Sequence, residues 1–277
     1  MSVTKPLPLI GGKRHLVKTL LRLIPSHRVY VEPFAGGATL FFAKEPSEVE
    51  ILNDINGEIV NFYRVLKHHW PEFWRQIRPM FKSRRLFEDL KKTPPETLTD
   101  IQRAVRFFYL LKNNFGAKLD GFHFFAGRRA EKKRFAPRVL RARLYRAFGR
   151  LQEAVVENLD FEECIRRYDT EETFFYCDPP YYGYESMYPG AHREDFDRLV
   201  RVLRGIRGKW LLSNVDHPRV REAFKGYHIL EAKVPWSTGN RFRARQKVGR
   251  EILIANYDIS AGKIVEKSRG GSLKAKN

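Results

Sequence analysis

The run KRHLVKTLLRLI, residues 13 to 24, spaces its apolar side chains three and four apart and stops before Pro25, which predicts a helix. RVYVEPF is a short apolar run and predicts a strand from about Arg28 to Glu32. ATLFFAK returns to helical spacing. EVEILND predicts a second strand, and INGEIVNFYRVLKHHW an amphipathic helix. Strand, glycine turn, helix, strand, acid, helix is the pattern of an α/β domain on a parallel sheet.

From about Pro71 to Leu151 strand signals nearly vanish. DIQRAVRFFYLLKNNFG predicts a strong helix with Asp100 placed to cap it, and RVLRARLYRAFGRLQEA a very basic one. Between them, GAKLDGFHFFAGRRAEKKRFAP reads as a basic, aromatic loop with glycines. Strands then resume in AVVENL, TFFYCD, KWLLSN, YHILEAKVP and EILIANYD, with helices in HREDFDRLVRVLRGI and HPRVREAF. Only a loop joins the last two strands, which predicts one antiparallel strand at that end of the sheet. The expected fold is a doubly wound, mostly parallel seven-stranded α/β sheet. Residues 1–70 and 152–261 build it, 71–151 form a helical insertion, and 262–277 form a disordered basic tail.

Charge sharpens this picture. Among 277 residues, 52 Lys and Arg oppose 32 Asp and Glu, a formal net charge of +20 that should attract polyanions. The charge is clustered: Arg128 to Arg150 holds ten basic residues against one acid, Glu131. RFRARQKVGR, Arg241 to Arg250, holds five and no acid; if extended, it puts Arg241, Arg243 and Arg245 on one face. Nucleic acid is the expected partner. No run approaches the roughly 18 apolar residues that span a bilayer, and the N-terminus lacks a signal-peptide pattern, so a cytoplasmic protein without a membrane partner is expected. Cys164 and Cys177 have no metal-ligand spacing, and the adjacent pair His68 and His69 reads as helix surface; no metal is expected.

Three short stretches could carry chemistry. In VEPFAGGATL, Gly36 and Gly37 follow a strand and let backbone approach a ligand closely, although the spacing is not GxGxxG. Asp54 ends the next strand, where an acid can accept two ribose hydroxyls or simply cap the following helix. In TFFYCDPPYYG, Asp178 ends a buried strand. Pro179 and Pro180 fix φ and offer carbonyls without competing N–H groups. Carboxylate and carbonyl make paired acceptors suited to an exocyclic amino group, and Tyr181 offers a ring for stacking.

Taken in order, these stretches resemble the Dam-type, or D12 class, adenine-N6 DNA methyltransferases over about 250 residues. LIGGKRHLVKTLLRLIP is similar to the family's N-terminal cofactor motif, VEPFAGGATLFF to its glycine motif, LNDINGEIVNFYRVLK to its acidic motif and YCDPPYYG to its catalytic motif. WLLSNVDH and VPWSTGNRFRARQKVGREILIANY are similar to later motifs, and the helical insertion sits where the family has one. The resemblance implies S-adenosylmethionine as cofactor, bound by Leu9, Lys13, Glu32, Phe34, Gly36, Asp54 and Asp178. It implies catalysis by Asp178, Pro179, Pro180 and Tyr181 on an adenine flipped out of double-stranded DNA. Leu9 stands where the family usually has tryptophan, and Ala38 where a third glycine is common. KNNFGAKLDGFHFFAGR differs from the segment of GATC-reading members, so that target does not transfer.

Lys118, Arg128, Arg129 and Arg134 in the insertion, with Arg241, Arg243 and Arg245, are the expected DNA contacts. A cognate restriction endonuclease is compatible with the resemblance, and the oligomeric state is left open. Competing readings are transfer to cytosine N4 in DNA or adenine in RNA, a DNA-binding protein inactive on the same scaffold, and a nicotinamide-dependent oxidoreductase.

Overall fold

Seven apolar stretches become seven strands of one sheet in the computed structural model, which describes residues 5–9, 13, 15–114, 121–125, 137–187, 192–235 and 248–260. They are β1 (Val29–Glu32), β2 (Val49–Asn53), β3 (Val155–Glu157), β4 (Thr173–Cys177), β5 (Lys209–Val215), β6 (His228–Pro235) and β7 (Val248–Ala255). Their order is β3-β2-β1-β4-β5-β7-β6. The first five in that order pair in parallel. β7 runs antiparallel to both β5 and β6 and lies one position in from the edge. The chain leaves β1 toward β2 on one side and later adds β4 on the other. That reversal opens a crevice at the carboxyl ends of β1 and β4.

Strand periodicity divides the core in two. Tyr30, Leu52, Phe174, Tyr176, Leu211 and Leu253 face one layer, which contains α1 (Val17–Leu23), α2 (Gly57–His68), α3 (Trp70–Ile77), α4 (Arg84–Lys92), α5 (Asp100–Asn113) and α6 (Pro137–Leu151). Val31, Ile51, Phe175, Cys177, Trp210 and Ile252 face the other, covered by α7 (Phe161–Tyr168), α8 (Glu194–Gly205) and α9 (Pro218–Ala223). Every residue of β4 is buried, which is why it reads as an unbroken apolar run rather than an alternating one.

The helices of the middle block share the sheet's core. Phe62 of α2 stacks on Phe108 of α5 at 5.6 Å and meets Phe73 of α3 edge-on at 5.8 Å. Each such pair is worth about 0.5–1.5 kcal/mol beyond its buried area. α6 is tied in by charge: Arg150 donates two hydrogen bonds to Glu50 of β2, and Lys44 reaches the same carboxylate at 2.5 Å. The Arg150 guanidinium also lies 3.9 Å from the Phe41 ring centroid.

Local chemistry corrects three expectations. ATLFFAK forms turns, not a helix. Ala38 takes φ +46°, in the left-handed region, and Glu32 captures the Phe41 N–H at 2.8 Å, so the bonds from Phe42 N to Ala38 O and from Lys44 N to Leu40 O stay single turns and do not propagate into a helix. Asn56, not Asp54, caps α2, accepting from Glu58 N at 3.0 Å. Thr99 caps α5 in a reciprocal box with Gln102, leaving Asp100 as the first helical residue. The sequence reading missed α7, a short helix capped by Asp160. The expected tail disorder concerns residues outside the described ones.

Candidate active site

The turn after β1 is held from three sides. Ala35 N donates to Asn53 O at 2.8 Å, and Asn53 Nδ2 donates to Pro33 O at 2.9 Å. Gly36 N donates to Asp54 Oδ2 at 2.8 Å, and Tyr63 OH donates to Gly36 O at 2.8 Å. Asp54 Oδ1 takes the Asn56 N–H at 2.9 Å. Burial pushes the Asp54 carboxyl up to about 6 against the pull of those two N–H groups. Gly36 adopts φ +47°, and a Cβ there would meet no atom within 4 Å, so conformation demands glycine and open space lies beside it. Phe34 is half-buried against Phe161 at 5.2 Å, while Ile55 is 59% exposed. Leu9 packs half-buried on the core, and its carbonyl accepts from Lys5 Nζ at 3.2 Å.

Glu32 lies beneath this turn and is almost wholly buried. Its Oε1 accepts from Tyr30 OH at 2.7 Å as well as from Phe41 N. Burial raises its carboxyl from 4.5 to about 8, more than the two hydrogen bonds recover. A carboxyl raised on folding stabilises the fold below its unfolded value, and that contribution is lost as pH rises through about 8. Glu32→Gln is therefore expected to flatten stability between pH 5 and 9, gaining on the parent at the alkaline end by on the order of a few kcal/mol. Urea melts across that range that stay parallel for the two proteins would refute this.

At the end of β4 the expected open acceptor is already engaged. Lys13 Nζ stands 2.7 Å from Asp178 Oδ1 and donates to the Tyr181 hydroxyl. It lies 4.4 Å from the Tyr181 ring centroid and 3.8 Å from Glu251 Oε2 on β7. Burial pushes the Asp178 carboxyl up; Lys13 pulls it down and Glu251 pushes it up again. Pro179 is buried and Pro180 half-buried. Tyr182 turns the other way, packing on Phe196 at 5.0 Å and His217 at 4.9 Å. Asn214 of β5 accepts the Tyr182 N–H at 3.2 Å, which pins the Pro-Pro-Tyr loop to the neighbouring strand.

A half-buried carboxylate beside two prolines and a tyrosine, one strand from a glycine turn tied to a second acid, is an arrangement able to hold a planar amino-bearing base beside a ribose-containing ligand. Comparison with known proteins agrees. The family model for the D12 class N6 adenine-specific DNA methyltransferase matches residues 9–235. The chain belongs to that family. A Type II methyltransferase of Lactococcus lactis subsp. cremoris, M1.LlaDCHI, is 25% identical, with 89% of this chain and 93% of that protein aligned. The Type II methyltransferase M.CviBI of Paramecium bursaria Chlorella virus NC1A is 27% identical over 89% of this chain and 97% of its own. The DNA adenine methylase of Escherichia coli K12 is 26% identical over 89% and 92%. The protein is thus a methyltransferase acting on the N6 amino group of adenine in DNA, and it uses a methyl donor.

Within this methyltransferase, Lys13, Asp178 and Tyr181 come together at one end of the crevice, and Gly36 and Asp54 at another. Lys118, Arg128, Arg129, Arg134, Arg241, Arg243 and Arg245 lie outside the described residues. Arg138, Arg141 and Arg146 of α6 are described and exposed. Sequence reasoning missed Glu251, Asn214, Tyr63 and Ile55. Glu251 left one signal, an acid inside an apolar strand. No described helix is long and apolar enough to cross a membrane, and no described group of three His, Cys, Asp or Glu is placed to hold a metal.

Proposed function

We propose that S-adenosylmethionine is the methyl donor, that the crevice between β1 and β4 holds it, and that the target adenine is flipped from duplex DNA against Asp178. The observation that carries this reading is the Gly36–Asp54 bond set beside the Asp178 cluster at the carboxyl ends of adjacent strands. The residues present fit such a donor. Each Asp54 oxygen accepts one backbone N–H and keeps a lone pair for a ribose hydroxyl. Phe34 and Ile55 offer apolar surface to a base, and Gly36 leaves open space for it.

When bound, S-adenosylmethionine supplies an electrophilic methyl group. The adenine amino nitrogen is a poor nucleophile, because its lone pair is delocalised into the ring. The protein's task is alignment and polarisation. Asp178 and the Pro179 carbonyl accept the two amino hydrogens, and the carboxylate offsets the positive charge growing on nitrogen. Pro179 and Pro180 hold that pair of acceptors rigid. Tyr181 stacks on the extruded base. Glu32 acts at one remove, by fixing the turn that carries Phe34 and Gly36.

The helical block 71–151 is the proposed target-reading element, with Lys118, Arg128, Arg129 and Arg134, joined by Arg241, Arg243 and Arg245. Genomic DNA as substrate supports a cytoplasmic location. The Type II names of two relatives support a restriction-modification setting with a cognate endonuclease.

Calorimetry tests the donor assignment: S-adenosylhomocysteine should bind and NAD should not. Asp54→Ala should weaken binding by about 10- to 100-fold, the loss that goes with charged hydrogen bonds to ligand hydroxyls. Unchanged affinity in that variant would move the ligand elsewhere. Mass analysis of nucleosides from treated plasmid should show N6-methyladenine, and sequencing of modified adenines would give the target site.

A further inference from the structure

We propose that Glu251 is a positioning residue for the transfer: the alternative partner to which Lys13 moves when the target base reaches Asp178. This rests on the reading above, in which the Asp178 carboxylate accepts a hydrogen from the adenine amino group.

The resting arrangement does not serve that role. An ammonium 2.7 Å from Asp178 Oδ1 neutralises the charge that should polarise the amino group. It also fills part of the acceptor's hydrogen-bonding capacity, because Lys is a donor with no acceptor to offer a base. For Asp178 to act, Lys13 must be given somewhere to go, and a bare lysine released into a buried site would be costly.

Glu251 is built to receive it. The side chain is nearly buried, and its Oε2 has no hydrogen-bond partner among the described residues. That oxygen is 3.8 Å from Lys13 Nζ. A shift of about 1 Å would bring the two to the separation of a charge-assisted hydrogen bond. The receiver is rigid: β7 pairs Glu251 with Val215 of β5 on one side and Ala232 of β6 on the other. The Tyr181 hydroxyl accepts a hydrogen bond from Lys13, so the ammonium can keep that partner while it leaves the carboxylate. The cation is thus shared unequally between two acids, with the unfilled position on the acid that the reaction leaves free.

The test uses the full-length protein and a duplex carrying 2-aminopurine at the target adenine, whose fluorescence rises when that base leaves the stack. Glu251→Gln should bind S-adenosylhomocysteine and the duplex like the parent. Its kcat should fall at least about tenfold with KM nearly unchanged, and its fluorescence rise should shrink, a coupling of ordinary size between two groups in contact. Removing Lys13 should remove the need for Glu251: Lys13→Met with Glu251→Gln should flip the base no less than Lys13→Met alone. If Glu251→Gln fails to fold, Glu251→Asp serves, since its shortened side chain retracts the acceptor and should show a smaller loss of the same kind. Parental kcat and fluorescence in these variants would overturn the proposal. So would a Glu251 effect of equal size in the Lys13→Met background, because it would not act through Lys13. The underlying reading fails separately, if Asp178→Ala still turns over.

Discussion

Asp178→Ala is expected to abolish methyl transfer while leaving binding of duplex DNA intact. The carboxylate is the one charged group on β4's exit that faces the amino nitrogen in the proposed complex, and positive charge grows on that nitrogen during transfer. Loss of a single preorganised electrostatic partner of this kind costs about 10²- to 10³-fold in kcat, and here the acceptor of a substrate hydrogen is lost with it. Asp178→Asn keeps an acceptor and loses the charge, so it should retain more activity than alanine. Binding should survive because the basic residues assigned to DNA lie elsewhere in the chain. The fold should survive too, since Lys13 keeps Glu251 within 3.8 Å. Incorporation of labelled methyl groups and gel retardation, measured on the same preparations, would decide. Turnover at the parental rate would end the catalytic assignment.

Glu50→Ala should be strongly destabilising. Glu50 is buried on β2 with Lys44 at 2.5 Å and the Arg150 guanidinium across both its oxygens. Burial alone would raise its carboxyl, but the hydrogen bonds from Arg150 and Lys44 outweigh it and hold the group below the ordinary value of 4.5. Its contribution is therefore present above that value and lost as pH falls through the folded one, the reverse of Glu32. Deleting the acid leaves two cations facing each other out of water, which costs about 3–5 kcal/mol. Replacing all three by apolar residues of similar size should recover much of the loss. Urea melts at neutral pH would measure both. A fall below about 1 kcal/mol for Glu50→Ala would show that water enters the cluster and screens it.

The strands were legible because a parallel sheet covered on both faces writes each of them as a short apolar run, as in TFFYC. Asp54 and Asp178 stood out as candidates for a related reason: each is an acid at the end of such a run. The glycine turn was misread. Leu40, Phe41 and Phe42 carry helical spacing, but Glu32 takes the Phe41 N–H and Ala38 leaves the helical region of φ. A long-range hydrogen bond overrode a local propensity. The cap of α2 went to Asn56 because Asp54 was already committed to Gly36. The resemblance put Lys13, Asp178 and Tyr181 near one another, but the ion pairing among them and the place of Glu251 could not be read from spacing. The members of this cluster come from the segment before α1, the end of β4 and the middle of β7. Only the strand order, with β7 laid against β5, brings them within reach of one another.

The aromatic stack between α2 and α5, and the grip of Arg150 on β2, bear on how such an enzyme could acquire a new target. The helical block cannot be lifted out and transplanted as an independent module, because cutting at its edges would open the hydrophobic interior of the catalytic half. Chimeras that exchange all of 71–151 should misfold unless α2, Phe41 and Glu50 travel with it. If the block reads the target as proposed, grafts between α5 and α6 that retain Phe122 and Phe124, which pack on the same core, would leave those seams in place.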